Sequence, residues 1–354
     1  MTLGAAFARG SNNFDLLRLI AALLVLFSHS FVLTGQPDAE PVARLFRHFI
    51  DGGGIAVAAF FVLSGFLIAG AAERHAPERF VRARVARIYP AYLVVILVQT
   101  FVVGLVMTRL PVWAYLTNSA TWTAVLRAIP FSPAMGLPGV FEGNPAPMQV
   151  NGSLWTLRIE ALCYLGLGTA AWVGVLRRLW VLAGLACGFG LLGAVVGLGL
   201  PLESIVVCVL HFCSGAALWC WRDFIRVRAL GVAVCAAAIG VSLGTEYATF
   251  VWQLAFPYIV LAVGLTRPVA AGLMRRLGDV SYGTYLYAFP VQQCLAAWFA
   301  PGPLALTAMA VPPVLGLAML SRRFVERPAL AWGHPSPAPP GLLGAARNNR
   351  DRTA

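Results

Sequence analysis

The sequence predicts an all-α fold, a polytopic membrane helical bundle of about ten transmembrane helices with both termini cytoplasmic. Three observations predict it. The 354 residues are 59% hydrophobic and 11% charged, against roughly 45–50% and 25% in soluble domains. Apolar runs recur along residues 14–321, most of them near the about 20 residues that cross a bilayer core. All 26 basic residues are arginine, and they divide unevenly about those runs.

The runs place spans at about 14–35, 53–73, 88–108, 153–176, 179–199, 203–221, 229–244, 248–266, 280–299 and 303–321, the seventh being short. With the N-terminus inside and sides alternating, twenty of the 26 arginines fall in the cytoplasm, among them Arg74, Arg79, Arg82, Arg275 and Arg322. Arg44, Arg47, Arg109 and Arg127 fall outside, and Arg18 and Arg158 lie within spans. That split follows the positive-inside rule. It also accounts for the net charge of +12 without nucleic acid as a partner. The seven cysteines form no CxxC pair and no His/Cys ligand spacing, so they read as packing residues and no metal site is expected.

The first span carries Asp15, Arg18 and His29. At about 100° per residue, Arg18 and His29 share one side of the helix, about 16 Å apart along it. Ionisable groups inside a span are costly and mark a functional site by default. They also interrupt the apolar run, and no small-residue cleavage site follows, which argues against a signal peptide.

Between the second and third spans, Arg79-Phe80-Val81-Arg82-Ala83-Arg84-Val85-Ala86-Arg87 forms an inner loop. Arg84 and Arg87, three apart, share a helical face. Such a face suits a phosphorylated cytoplasmic ligand, although by itself the loop reads more simply as a topogenic cluster touching anionic lipid headgroups. The outer segment 109–151 carries Trp113, Tyr115, Trp122, Phe131 and Phe141 among many prolines. A segment this long is expected to be an acceptor-binding lid or an interfacial plug.

The fourth span opens with Asn151-Gly152-Ser153-Leu154-Trp155-Thr156-Leu157-Arg158-Ile159-Glu160. Arg158 and Glu160 do not face each other on one helix, so each needs a partner elsewhere. Glu160 and His29 lie at similar depth from the outer face by the helical rise, which makes a Glu160–His29 pair an expectation. A structural Arg–Glu network is the alternative. The chain is expected to divide into a membrane domain, residues 1–330, and a disordered Pro/Arg-containing tail, residues 331–354.

These residues resemble acyltransferase family 3, membrane proteins that acylate sugars and related acceptors. The likeness runs through Phe14-Asp15-x-x-Arg18 with His29, Gly53-Gly54, Phe60-Phe61-Val62-Leu63-Ser64-Gly65-Phe66-Leu67-Ile68 and Arg84-x-x-Arg87-Ile88-Tyr89-Pro90. It continues in Trp155-Thr156-Leu157-x-x-Glu160, Ser281-Tyr282-x-x-Tyr285-Leu286 and Ser321-Arg322-Arg323-Phe324-Val325-Glu326-Arg327-Pro328, so it covers about residues 12–330. The resemblance implies an integral O-acyltransferase of a bacterial cytoplasmic membrane. It implies a cytoplasmic acyl-CoA, acetyl-CoA first, as co-substrate and no permanently bound cofactor. The acceptor is a hydroxyl of a surface or exported polysaccharide. A glycosylated small molecule or lipid-linked oligosaccharide is the alternative acceptor, and a transporter or flippase the alternative class.

By the same resemblance His29 matches the essential histidine, while Arg84 and Arg87 match a cytoplasmic arginine pair used with acyl-CoA. A histidine common two residues before the proline of the ninth-span motif is Ala288 here. The expected chemistry makes His29 a general base oriented by Glu160. Arg18, steadied by Asp15, guides the donor. Trp155, Arg158, Tyr282, Tyr285 and Gln292 are candidates to line the acceptor site. The chain ends soon after the tenth span, so a fused extracytoplasmic esterase-like domain is not expected.

Overall fold

Phe14-Asp15 opens an uninterrupted apolar helix, Phe14–Leu33 (α2), that follows a short first helix, Leu3–Ala8 (α1). A computed structural model gives this arrangement and describes residues 1–132, 136–176 and 202–333. The expected fifth span, 179–199, and the tail beyond residue 333 lie outside the described residues. The described part is helical, with two isolated backbone bridges and no named strand.

The remaining principal helices are Gly52–Arg74 (α3), Pro77–Met107 (α4), Val112–Thr117 (α5), Ser119–Ala128 (α6), Trp155–Trp172 (α7), Leu202–Cys220 (α8), Ala229–Ser242 (α9), Ala248–Gly264 (α10), Ser281–Phe299 (α11) and Pro303–Gly333 (α12). Among the described residues, α2, α3, α4 and α12 are long and apolar enough to cross a membrane. Shorter apolar helices, Ser204–Cys220, Ala229–Ser242 and Ala248–Gly264, accompany them.

One boundary differs from the sequence expectation. The loop expected at 79–87 is helical, and it joins the third span into the single 31-residue α4. Nothing in Pro77–Val98 breaks a helix before Pro90, and proline is tolerated in such helices where neighbours satisfy the freed carbonyl. Toward its far end α4 widens into a π-turn, Gln99–Val103. There the Tyr115 hydroxyl donates to the Thr100 carbonyl at 2.7 Å. Gly104 leaves the room: a Cβ at that position would strike the Tyr115 hydroxyl. A second π-turn, Arg322–Glu326, lies within α12, just before Pro328, which has no N–H to continue the ladder.

The described residues of the outer segment are folded. Tyr115, Leu137, Val140, Phe141 and Val150 bury one another in a small core, and Asn144 donates to Gln293 on α11. The Asn151 amide donates to the Leu286 carbonyl, and its oxygen accepts from the Ser153 N–H, so Asn151 tethers the start of α7 to α11.

The main core forms around α3. Phe61, Val62, Phe66 and Ala69 pack with Phe212, Ala216 and Trp219 of α8, all buried. Glycines set this approach: a Cβ on Gly65 would collide with the Phe212 carbonyl, and one on Gly215 with the Val62 carbonyl. Apolar lipid gives helices no hydrophobic reason to associate, so close backbone packing through small residues takes over.

Candidate functional site

Arg18, one turn into α2, Arg87 on α4, Asp279 just before α11 and Glu326 on the π-turn of α12 meet at one end of the bundle. Arg18 pairs with Asp15 at 3.6 Å and with Asp279 at 3.8 Å. Arg87 binds Asp279 directly and lies 3.8 Å from Glu326. Asp279 also accepts from the Ser281 hydroxyl and its N–H, and Ser321 donates to Glu326 at 3.1 Å. Burial raises the Asp279 carboxyl, but Arg87 and Arg18 beside it prevail and hold it well below the usual carboxylate range. Tyr282, with Arg87 over its ring, donates to the Ile88 carbonyl at 2.8 Å.

This network closes on itself and leaves Arg84 outside it. Arg84 makes no ion pair or hydrogen bond among the described residues, and its buried Nε has no partner. It lines a cavity of about 390 Å³ with Arg18, Arg74, Arg87, Glu160 and Tyr282. Glu160 accepts from Ser64 Oγ at 3.1 Å and from the Tyr164 hydroxyl.

At the opposite end, a second cavity of about 910 Å³ contains His29, Asp51, Trp155, His211, Trp252 and Gln253 in its wall. His29 Nδ1 is buried without a partner, and the imidazole stands edge-on to Phe289 at 5.1 Å. Its turn of α2 is fixed from behind. Gln292 donates to the Leu26 carbonyl at 2.8 Å and to Ser30 at 2.7 Å, and Thr307 donates to Ser30 at 2.9 Å. His211 is fully buried, its Nδ1 lies 2.7 Å from the Val207 carbonyl, and its Nε2 has no partner.

The two cavities share a wall. Val57 and Tyr285 line both, and the Tyr285 hydroxyl donates to the Ser153 carbonyl while sharing a hydrogen bond with Thr156 Oγ1, both at 2.7 Å. The entry to α7 and its first turns divide between them. Gly152, Ser153 and Trp155 face the histidine cavity, whereas Thr156, Leu157, Glu160 and Tyr164 face the arginine cavity.

The expected Glu160–His29 pair is therefore not formed. The depth comparison held both residues at one level, but Glu160 lies a full turn past the point where α7 leaves the histidine cavity. Arg18 and His29 line opposite cavities, as their separation along α2 requires. Trp155 lies in the histidine cavity, Tyr282 in the arginine cavity and Tyr285 between them, while Arg158 lines neither. No described residue of 112–150 lines the histidine cavity. Sequence reasoning missed Asp279, Asp51 and His211. An acidic residue just ahead of an apolar helix was the available signal for the first two.

The model of the family described as "Acyltransferase domain" matches residues 11–323. The chain is 29% identical to the "O-acetyl transferase" of Shigella phage Sf6, over 92% of this chain and 98% of that protein. It is 28% identical to "Nodulation protein 10" of Rhizobium leguminosarum bv. viciae, over 90% of this chain and 93% of that protein. No solved structure matches the chain. With its family's model spanning the helices that build both cavities, this membrane-embedded chain belongs to acyltransferase family 3.

Proposed function

We propose that the protein is a membrane O-acetyltransferase. It takes the acetyl group of cytoplasmic acetyl-CoA and delivers it to a hydroxyl of a surface or exported polysaccharide. The observation that carries this reading is the pair of cavities at opposite ends of one bundle, one rimmed by arginine and one holding His29, meeting at Tyr285. The printed name of the phage relative supports acetyl as the group. The arginine asymmetry of the sequence supports about ten spans, with both termini and the arginine cavity on the cytoplasmic side.

In this reading the donor's thioester end enters the arginine cavity. Arg84, with no carboxylate of its own, takes a donor phosphate. Arg18, steadied by Asp15 and Asp279, contributes its charge to the same wall. The acceptor enters the larger cavity, where Trp155 and Trp252 offer flat apolar faces and Gln253 a polar one. His29 removes the proton of the acceptor hydroxyl. The oxygen attacks the thioester carbonyl, the C–S bond breaks, and the CoA thiolate leaves and takes up a proton from the imidazolium or water.

Inverted membrane vesicles given acetyl-CoA labelled in its acetyl group test this. Label entering envelope glycan with wild type, and not with His29→Ala or vector membranes at matched protein level, is the expected result. Equal transfer by His29→Ala removes His29 from the chemistry. No transfer by wild-type vesicles with acetyl-CoA overturns the choice of acetyl donor.

A further inference from the structure

A base that takes a proton inside an apolar bundle becomes a cation there, and a buried cation is costly unless it is paired. The groups facing His29 can be followed element by element. On α2, Asp15 and Arg18 lie at the far end of the helix. From the start of α7 come Trp155 and, just before it, Ser153, from α8 Cys208 and His211, from α10 Trp252 and Gln253, and from α11 Tyr285 and Phe289. At the head of α3 stands Asp51, and among the described residues lining this cavity it alone carries a formal charge.

Asp51 is held in place by its neighbours. It is the N-cap of α3, its Oδ1 accepting from the Gly54 N–H at 2.6 Å. Its other carboxylate oxygen makes no hydrogen bond among the described residues. Glu40, 1% exposed, accepts from the Gly52 N–H at 2.9 Å and the Ala43 N–H at 2.7 Å. Glu40 thereby ties the backbone just after Asp51 to the 40–43 segment. Gly53 brings this head against the His29 turn: the place a Cβ would occupy there is 3.3 Å from Ser28 Oγ and 3.5 Å from Asp51 Oδ1.

We propose that Asp51 is the carboxylate partner of His29, a positioning residue that stabilises the imidazolium formed when His29 takes the acceptor's proton. Asp51 stays ionised throughout, and the proton passes from acceptor oxygen to His29 and onward. The inference rests on the reading of His29 as general base and replaces Glu160 in the role first expected of it.

The test uses the full-length protein in inverted vesicles, with labelled acetyl-CoA as donor, envelope glycan as acceptor and pH equalised across the membrane by an ionophore. Asp51→Asn keeps a good N-cap and removes the charge, so the thermal transition in detergent is expected to stay at its wild-type temperature. Turnover at saturating acetyl-CoA is expected to fall about tenfold, a fraction of what a general base contributes, with the KM for acetyl-CoA unchanged. The acid limb of the pH profile is expected to move to lower pH, because a carboxylate favours the protonated imidazole and its loss does the reverse. Asp51→Glu is expected to restore most of both. A profile for Asp51→Asn that superimposes on wild type, with His29→Ala inactive, overturns this inference alone. Full transfer by His29→Ala overturns the reading of His29 and the inference with it.

Discussion

Arg84 and Arg87 are three residues apart on one helix, and their surroundings divide their roles. Arg87 is engaged by Asp279, Glu326 and the Tyr282 ring, whereas Arg84 faces the cavity with no acidic partner among the described residues. Arg87→Ala takes the shared arginine from Asp279, which keeps Arg18 and Ser281, and from buried Glu326, which keeps Ser321. It is expected to cost about 3 kcal/mol of stability, the low end for a broken buried pair. Arg84→Ala is expected to leave the thermal transition near wild type and to raise the KM for acetyl-CoA about tenfold, the worth of one charge-assisted contact. Thermal unfolding in detergent and donor-dependent rates check the pair. If both variants lose stability equally, the division of roles is wrong. The arginine pair was legible in the sequence because spacing alone puts both on one face. The division was not, because it depends on Asp279 and Glu326, which lie far along the chain and reach Arg87 only once α11 and α12 are packed.

At the scale of helices, the α3–α8 contact rests on Gly65 and Gly215 facing each other's partner backbone. A methyl group at either site meets a carbonyl oxygen, which cannot rotate away as a side chain does. Gly65→Ala and Gly215→Ala are each expected to destabilise by about 1–3 kcal/mol, the usual cost of overpacking. Substitution of Gly240, whose Cβ position is open, serves as the control. A thermal shift for Gly65→Ala no larger than for Gly240→Ala would show that the helices separate without penalty. The apolar runs foretold most elements well, since burial in lipid demands long helices with every backbone group satisfied internally. They misplaced the start of α4, because charge suggests a loop while helix formation depends on the backbone. The nine residues Arg79–Arg87 form helix despite their four arginines.

Across the whole molecule, the principal helices run between an end marked by arginines and an end marked by His29. The topology drawn from arginine counting assigns the first of these to the cytoplasm. A single cysteine at Pro37 in the loop after α2, on a background without the native cysteines, is expected to react with a membrane-impermeant maleimide added to intact cells. A cysteine at Ala76, between α3 and α4, is expected to react only after the membrane is opened. The reverse pattern would invert the bundle and send acetyl-CoA to the wrong side. Position along a helix was readable from the sequence, and the side of each loop is the expectation that these two cysteines test. Which residues share a cavity was not, as Glu160 illustrates. One helical turn decides whether a side chain faces the arginine cavity or the histidine cavity, and depth measured along the chain does not resolve rotation about the helix axis.

Tyr285 has a consequence of another kind. Membranes that store an ion gradient cannot hold a continuous thread of water, since protons would run along it and discharge the store. Two cavities reach into this bundle from its two ends, and between them stand Val57 and a tyrosine tied to the head of α7 by Ser153 and Thr156. That ring is both the place where the chambers come closest and the insulation between them. On the proposed function the same residue thus sets how near donor and acceptor approach, and it stands across any path for water between the two cavities.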